Sequence, residues 1–141
     1  MPEIAMTFPL VPGQTTHVQL PEDVSDTAWI AKMVFPLLIN FGRTIHIVTQ
    51  DDETRDLIGE SLYDVVRLEL SHQIVNIVRY KDWIFPTNRG VLKVYKLDKT
   101  PIARVTPDVI VAVGLSRFLP EQKETLGILM RTANLFSISH S

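Results

Sequence analysis

Two hydrophobic rhythms run along the chain. Ile30, Met33, Val34, Leu37, Leu38 and Phe41 recur at helical spacing and place one apolar stripe on a helix. Ser25 stands where an N-cap belongs, and Gly42 ends the stripe. Pro36 lies inside it and lacks an N–H, which predicts a kink or break near Phe35. Ile58, Leu62, Val66 and Leu70 repeat every four residues and predict a second helix over 51–70. The Thr49-Gln50-Asp51-Asp52 spacing would open this helix, and Gly59 would weaken it slightly. A third helix is expected over 121–134, after Pro120, with Leu126, Leu129, Met130 and Ala133 on its buried side.

Between the helices the period falls to two. Residues 43–49 place Ile45, Ile47 and Thr49 on one face and Thr44, His46 and Val48 on the other, as a strand would. Residues 82–85 and 91–97 flank Pro86-Thr87-Asn88-Arg89-Gly90 and read as a hairpin. The run 109–113 (VIVAV) has no polar interruption and reads as a central strand buried on both faces; a helix opened by Pro107 is the competing reading. Residues 3–10 and 15–20, separated by Pro9, Pro12 and Gly13, suggest a loose hairpin, and 135–139 an edge strand. Residues 73–80 fit either a strand or an extension of the second helix; their β-branched content favours a strand after a break near Ser71-His72. The pattern predicts one α+β domain spanning 1–141, with a mixed or antiparallel sheet of about five to seven short strands and about three helices.

Composition narrows the class. The 141 residues are 45% hydrophobic and 21% charged, ordinary for a globular protein and unlike a disordered, collagen-like or coiled-coil chain. No cysteine is present, which excludes a disulfide scaffold, a Cys-ligated metal and a cysteine nucleophile, and fits a cytoplasmic setting. The apolar runs 33–39 and 109–113 fall far short of the ~20 residues of a membrane span, and no signal peptide is evident, so a soluble protein is expected.

The net charge of −2 is unevenly spread. Residues 51–70 hold seven acids against two bases, and residues 79–104 hold seven bases against two acids. These would be two solvated surfaces of opposite sign, or a basic face for an anionic partner such as DNA. On the second reading Arg79, Lys81, Lys93 and Lys96 would meet phosphates, and Trp83 would stack bases. The blander reading makes Trp83 a core anchor.

Candidate chemistry is sparse. His17, His46, His72 and His140 show no metal-ligand spacing, and His17 and His46 read as strand histidines. There is no nucleophile elbow, phosphate-binding glycine loop or dinucleotide fingerprint. One pattern stands out at 107–123: Pro107-Asp108 before an apolar strand, then Glu121-Gln122-Lys123. Paired carboxylates can hold Mg²⁺ through oxygen, the metal can activate water, and a lysine can stabilise charge developing on a phosphate.

The order of an acidic helix (DETRDLIGESLYDVVRLE), a strand, a hairpin carrying DWIF and then RVTPDVIVAVG resembles the restriction-endonuclease-like proteins of the PD-(D/E)xK nuclease superfamily over residues 51–114. The resemblance implies a Mg²⁺-dependent endodeoxyribonuclease fold. Asp108 and Glu121 would then be metal ligands and catalytic residues, Lys123 the catalytic cation, and Glu53 or Glu60 a further acid. Glu121 departs from the pattern, because Leu119-Pro120 before it suits a helix start better than a strand end. An inactive nuclease-like domain that binds DNA satisfies the same residues. The alternative is a non-catalytic interaction or assembly module, a homo-oligomer or the companion of a protein partner. It needs no cofactor and leaves Asp108 and Glu121 far apart.

Overall fold

A computed structural model describes residues 11–98 and 106–140, apart from the side chain of Tyr80. Among these described residues seven strands form one mixed sheet in the order β1-β7-β6-β2-β5-β4-β3. They are β1 Thr15–Leu20, β2 Ile45–Thr49, β3 Val78–Tyr80, β4 Asp82–Pro86, β5 Val91–Lys96, β6 Val109–Val113 and β7 Asn134–His140. The five from β1 to β5 in that order are mutually parallel, and β4 and β3 close the sheet antiparallel. The expected α+β class holds, with a mixed sheet and three helical segments.

Strand alternation divides the core in two. Ile45, Ile47, Val94, Val109, Val111 and Phe85 face the front, where they meet Ile30, Phe35 and Leu38 of the first helical segment and Ile58, Leu62 and Val66 of the second. Val48, Tyr95, Ile110, Ala112 and Leu135 face the back, where they meet Phe118, Leu126 and Leu129. β6 is buried at every position, which is why its sequence is apolar without alternation.

The first segment shows how the chain accommodates Pro36. Helix α1 (Asp26–Trp29) is capped by the Ser25 hydroxyl, which accepts from the Ala28 N–H at 3.0 Å. A π-turn (Ile30–Val34) follows, in which the Phe35 N–H reaches the Ile30 carbonyl, and α2 (Phe35–Phe41) then resumes. The wider turn places Pro36 in the first turn of α2, where no N–H is required. The expected break is therefore a π-turn within one continuous rod. Gly42, at φ 63°, caps its C-terminus in the left-handed conformation.

Helix α3 (Asp52–Glu69) opens on Asp51 rather than Thr49. The Asp51 carboxylate accepts from the Thr54 N–H at 2.8 Å, while the Thr49 hydroxyl donates back to the Asp51 carbonyl at 3.0 Å. Gly59 of α3 is buried under the ring of Trp83, and a Cβ there would lie 2.3 Å from a ring carbon. The glycine that costs helix propensity is thus the seat for the indole, whose Nε1 donates to Asp56 at 3.1 Å. Arg79 lies 4.1 Å over the Tyr63 ring and closes the same stack.

Other expectations shift. Only 78–80 of the ambiguous 73–80 segment is strand, reached through a turn with Asn76 at φ 58°. Helix α4 (Pro120–Leu129) ends earlier than expected, and residues 130–133 turn into β7. β7 is an internal strand between β6 and β1 rather than an edge, because the parallel return from α4 places it beside β6. β1 pairs with β7. Residues 3–10, its expected hairpin partner, lie outside the described residues, as does most of the short piece between Pro101 and Pro107. No helix among the described residues is long and apolar enough to cross a membrane.

Gly59→Ala should destabilise the protein by about 1–3 kcal/mol, because overpacking against Trp83 outweighs the better helix propensity of alanine. A urea midpoint that falls, with altered tryptophan fluorescence, is the expected result. A midpoint that rises would show that the indole does not seat on α3.

Candidate functional site

In a largely parallel sheet, ligands favour the crevice beyond the C-terminal strand ends, where successive crossovers pass to opposite faces. Here the crossovers from β1 and β2 run in front and the one from β6 runs behind, so that crevice lies beyond β2 and β6. Its rim is made by residues 21–25, Gln50 and Asp51, Leu97 and Asp98, and the turn from Gly114 to Leu119.

The rim is rich in acids, and the starts of the helices beside it are capped from within the chain. Asp51 caps α3, and the hydrogen bonds from Thr54 hold its carboxyl below the usual range, with smaller help from the charges of Arg117 and Lys96. Asp52 and Glu53 occupy the first turn of α3. Ser25 caps α1, Asp26 meets the His140 imidazole at 2.9 Å, and Glu22 and Asp23 are exposed beside them. The backbone N–H groups and positive dipole ends that could bind phosphate are answered within the chain.

One buried residue organises this rim. The Gln122 side chain accepts from the Leu119 N–H at 2.9 Å, and its amide donates to the carbonyls of Gln50 at 3.0 Å and Leu97 at 2.9 Å. It ties the start of α4 to the ends of β2 and β5. Sequence reading passed over Gln122 as the middle of Glu-Gln-Lys. The signal was present, since a polar residue two positions after Pro120 stands near the first unpaired N–H groups of a helix.

The expected metal pair is not brought together. Asp108 precedes β6 on the N-terminal edge of the sheet, where its carboxylate accepts from the Thr44 N–H at 3.0 Å and its own N–H donates to the Thr44 carbonyl at 2.8 Å. Glu121 and Lys123 are exposed on the first turns of α4, beyond the opposite edge. The five residues of β6 alone separate the two edges by roughly 17 Å at ~3.3 Å per residue. Phe118 and Leu119 lead into a helix instead of forming the strand the motif requires. Among the described residues no three His, Asp or Glu converge to hold a cation, and Glu53 and Glu60 are exposed on α3. These residues do not fit a Mg²⁺ site built on Asp108 and Glu121.

The expected DNA-contact residues also disperse. Trp83 is buried, so it is a core anchor and presents no face to a base. Arg79 stands opposite Trp83 and pairs with Glu60 at 3.7 Å on the front. Lys93 pairs in register with Ile84 and His46, which places it on the back. Lys96 lies at the end of β5 near Asp51, and Lys81 sits in the β3–β4 turn at φ 58°. Period-two alternation splits cations that look contiguous in sequence.

His46 lies buried in the middle of β2, facing the back. Its Nδ1 is 2.9 Å from the Tyr95 hydroxyl, the rings meet edge-on, and Nε2 has no hydrogen-bond partner. Burial pulls its pKa down to about 4, and the Lys93 charge adds to the effect. Burial pushes the Tyr95 phenol up, with the Asp82 charge assisting. The pair is a neutral core contact.

No family model matches the chain, and no curated protein does so. Among solved structures the chain is similar to a point mutant of the large terminase ATPase domain of Thermus phage P74-26, with a TM-score of 0.54 and 9% identity. The match covers 89% of this chain and 60% of that one, so this chain spans under two thirds of its neighbour's length. At that identity the likeness is one of fold.

Gln122→Ala should cost about 1–3 kcal/mol, since three backbone groups lose their partner. Hydrogen exchange should accelerate first at the α4 N-terminus, and exchange that rises uniformly would refute the tie. His46 has a folded pKa below its ordinary 6.5, so the unfolded chain binds more protons between the two values. Stability should be fully present above pH 6.5 and fall by up to about 3 kcal/mol as pH drops to 4. His46→Phe should flatten that decline in denaturant titrations across the range; an unchanged slope would assign it to other groups.

Proposed function

We propose that this protein is a non-catalytic binding module, built on the fold shared with a terminase ATPase domain, that serves a nucleic-acid-handling assembly. The observation that carries this reading is the acidic C-terminal rim. A phosphate-binding loop needs glycines, bare N–H groups and a lysine at the first strand-to-helix turn. This chain has Pro21-Glu22-Asp23-Val24-Ser25 there, with Ser25 already capping α1. Gly114 follows β6, where a carboxylate would be needed to hold a nucleotide's Mg²⁺. The separation of Asp108 from Glu121 weighs equally against hydrolysis of a nucleic-acid backbone.

The nucleic-acid setting rests on the neighbour's identity as a terminase domain. With a net charge of −2 and scattered cations, direct contact with DNA should be weak and electrostatic.

Three measurements on the intact chain test the reading. Calorimetry with millimolar Mg·ATP should show no saturable binding, and plasmid incubated with Mg²⁺ or Mn²⁺ should stay intact. Anisotropy with a labelled duplex should show binding at 50 mM salt that is lost by 200 mM. ATP turnover, or nicking abolished by Asp108→Ala, would overturn the non-catalytic assignment. No duplex binding at low salt would overturn the nucleic-acid assignment.

A further inference from the structure

Behind the sheet, α4 covers β6, β2 and the edge of β5, but between α4 and the outer strands β1 and β7 it leaves a cleft of about 630 Å³. That volume suits a small organic ligand. The strand register fixes its layout. On the back face Thr15 lies beside Leu135, His17 beside Ser137, and Ser139 follows toward the C-terminal ends. Helix α4 runs the other way, from Lys123 beside those ends back to Met130 near the start of β7.

The cleft is therefore graded. Leu126, Met130 and Leu135, with Thr15 beside Leu135, make one end mostly apolar. Lys123, His17, Ser116, Ser137 and Ser139 make the other end rich in hydrogen-bond donors. No carboxylate of the described residues lines it. Among the described residues none of these five side chains has a hydrogen-bond or ion-pair partner. Asp51, Asp52 and Asp26 near the C-terminal rim, by contrast, are committed to a cap or an ion pair.

Gly127 supplies an independent observation. It sits in the last turn of α4, lines the cleft, and no described neighbour lies within 4 Å of where its Cβ would be. Glycine costs a helix stability relative to alanine. No described residue makes a packing demand for it, unlike Gly59 under Trp83. A bare helix backbone facing an open cleft leaves room for a guest.

We infer that this cleft binds a phosphate monoester carried on an apolar or aromatic body. The body lies against Leu126, Met130, Leu135 and the bare backbone at Gly127. The phosphate meets the Lys123 ammonium, the His17 imidazole and the serine hydroxyls, which offer donors to its oxygens. A free small ester and the 5′-phosphorylated end of a nucleic-acid strand present the same chemistry. The inference stands on the cleft alone and does not depend on the acidic rim.

Phenyl phosphate is the probe, titrated into the whole protein and followed by amide NMR shifts. Saturable binding is expected, with shifts at Lys123, Gly127 and Ser139, and at least tenfold tighter than for inorganic phosphate or phenol. Gly127→Phe, whose Cβ would meet no described neighbour within 4 Å, should project its ring into the cleft and abolish binding while the protein stays folded. Lys123→Gln, exposed and unpaired, should weaken binding about tenfold. Competition by a 5′-phosphorylated oligonucleotide, but not by its dephosphorylated form, would identify a strand end as the source. Failure of both oligonucleotides to compete would identify a small ester. Equal affinity for phenyl phosphate and inorganic phosphate, shifts elsewhere, or binding untouched by both variants would overturn the assignment.

Discussion

Burial of β2 and β6 on both faces constrains everything else in this molecule. Two adjacent strands without solvent on either side need a helical layer in front and behind, and every side chain on them must be apolar or paired. Among the described residues the front layer is supplied twice, by the α1–α2 rod and by α3, whereas the back is supplied by α4 and the short turn before it. That asymmetry leaves open space behind the outer strands β1 and β7. It also confines polar chemistry to the sheet's edges and to that space. Two polar side chains stand within the central pair: Thr49 donates to the Asp51 carbonyl, and His46 is held neutral with one nitrogen on Tyr95.

What the sequence revealed of the fold follows the strength of local signals. The apolar run of β6, the four-residue repeat of α3 and the hairpin around Pro86–Gly90 are decided by neighbours in sequence, and they stand where expected. The position of β7 was not legible, because an internal and an edge strand of five apolar-leaning residues look alike until the direction of the α4 crossover is known. Pro36 predicts disruption by its missing N–H, yet a π-turn is a remedy no composition rule announces. Gly59 is informative only once Trp83, far along the chain, is seen above it.

The candidate site was less legible for a related reason. Asp108 and the Glu121–Lys123 pair are close in sequence, but a strand carries the chain from one edge of the sheet to the other between them. The strand that makes the motif look convincing is the element that separates its parts. Similarly, the bases of 79–104 form a dense cluster in sequence and a dispersed one in space, since strands turn alternate side chains to opposite layers. Lys123 acquires a setting through the cleft it lines with His17 and Gly127, three residues that no short motif connects.

The pairing of β1 with β7 bears on how the protein assembles. Thr15 lies opposite Leu135, so the first described strand has its neighbour at the far end of the chain, and no other strand pairs with it among the described residues. Closing so long a loop carries a large entropic cost and slows folding relative to locally paired elements. The β2–α3–β5 unit and the β4–β5 hairpin can form from nearby residues, with β6 and α4 added as they follow. Among the described residues β1 must then wait for its strand partner until residues 134–140 are synthesised and laid down beside β6. For that interval a nascent chain would present an open strand edge to chaperones or to a neighbouring copy, and the docking of β7 is what closes it.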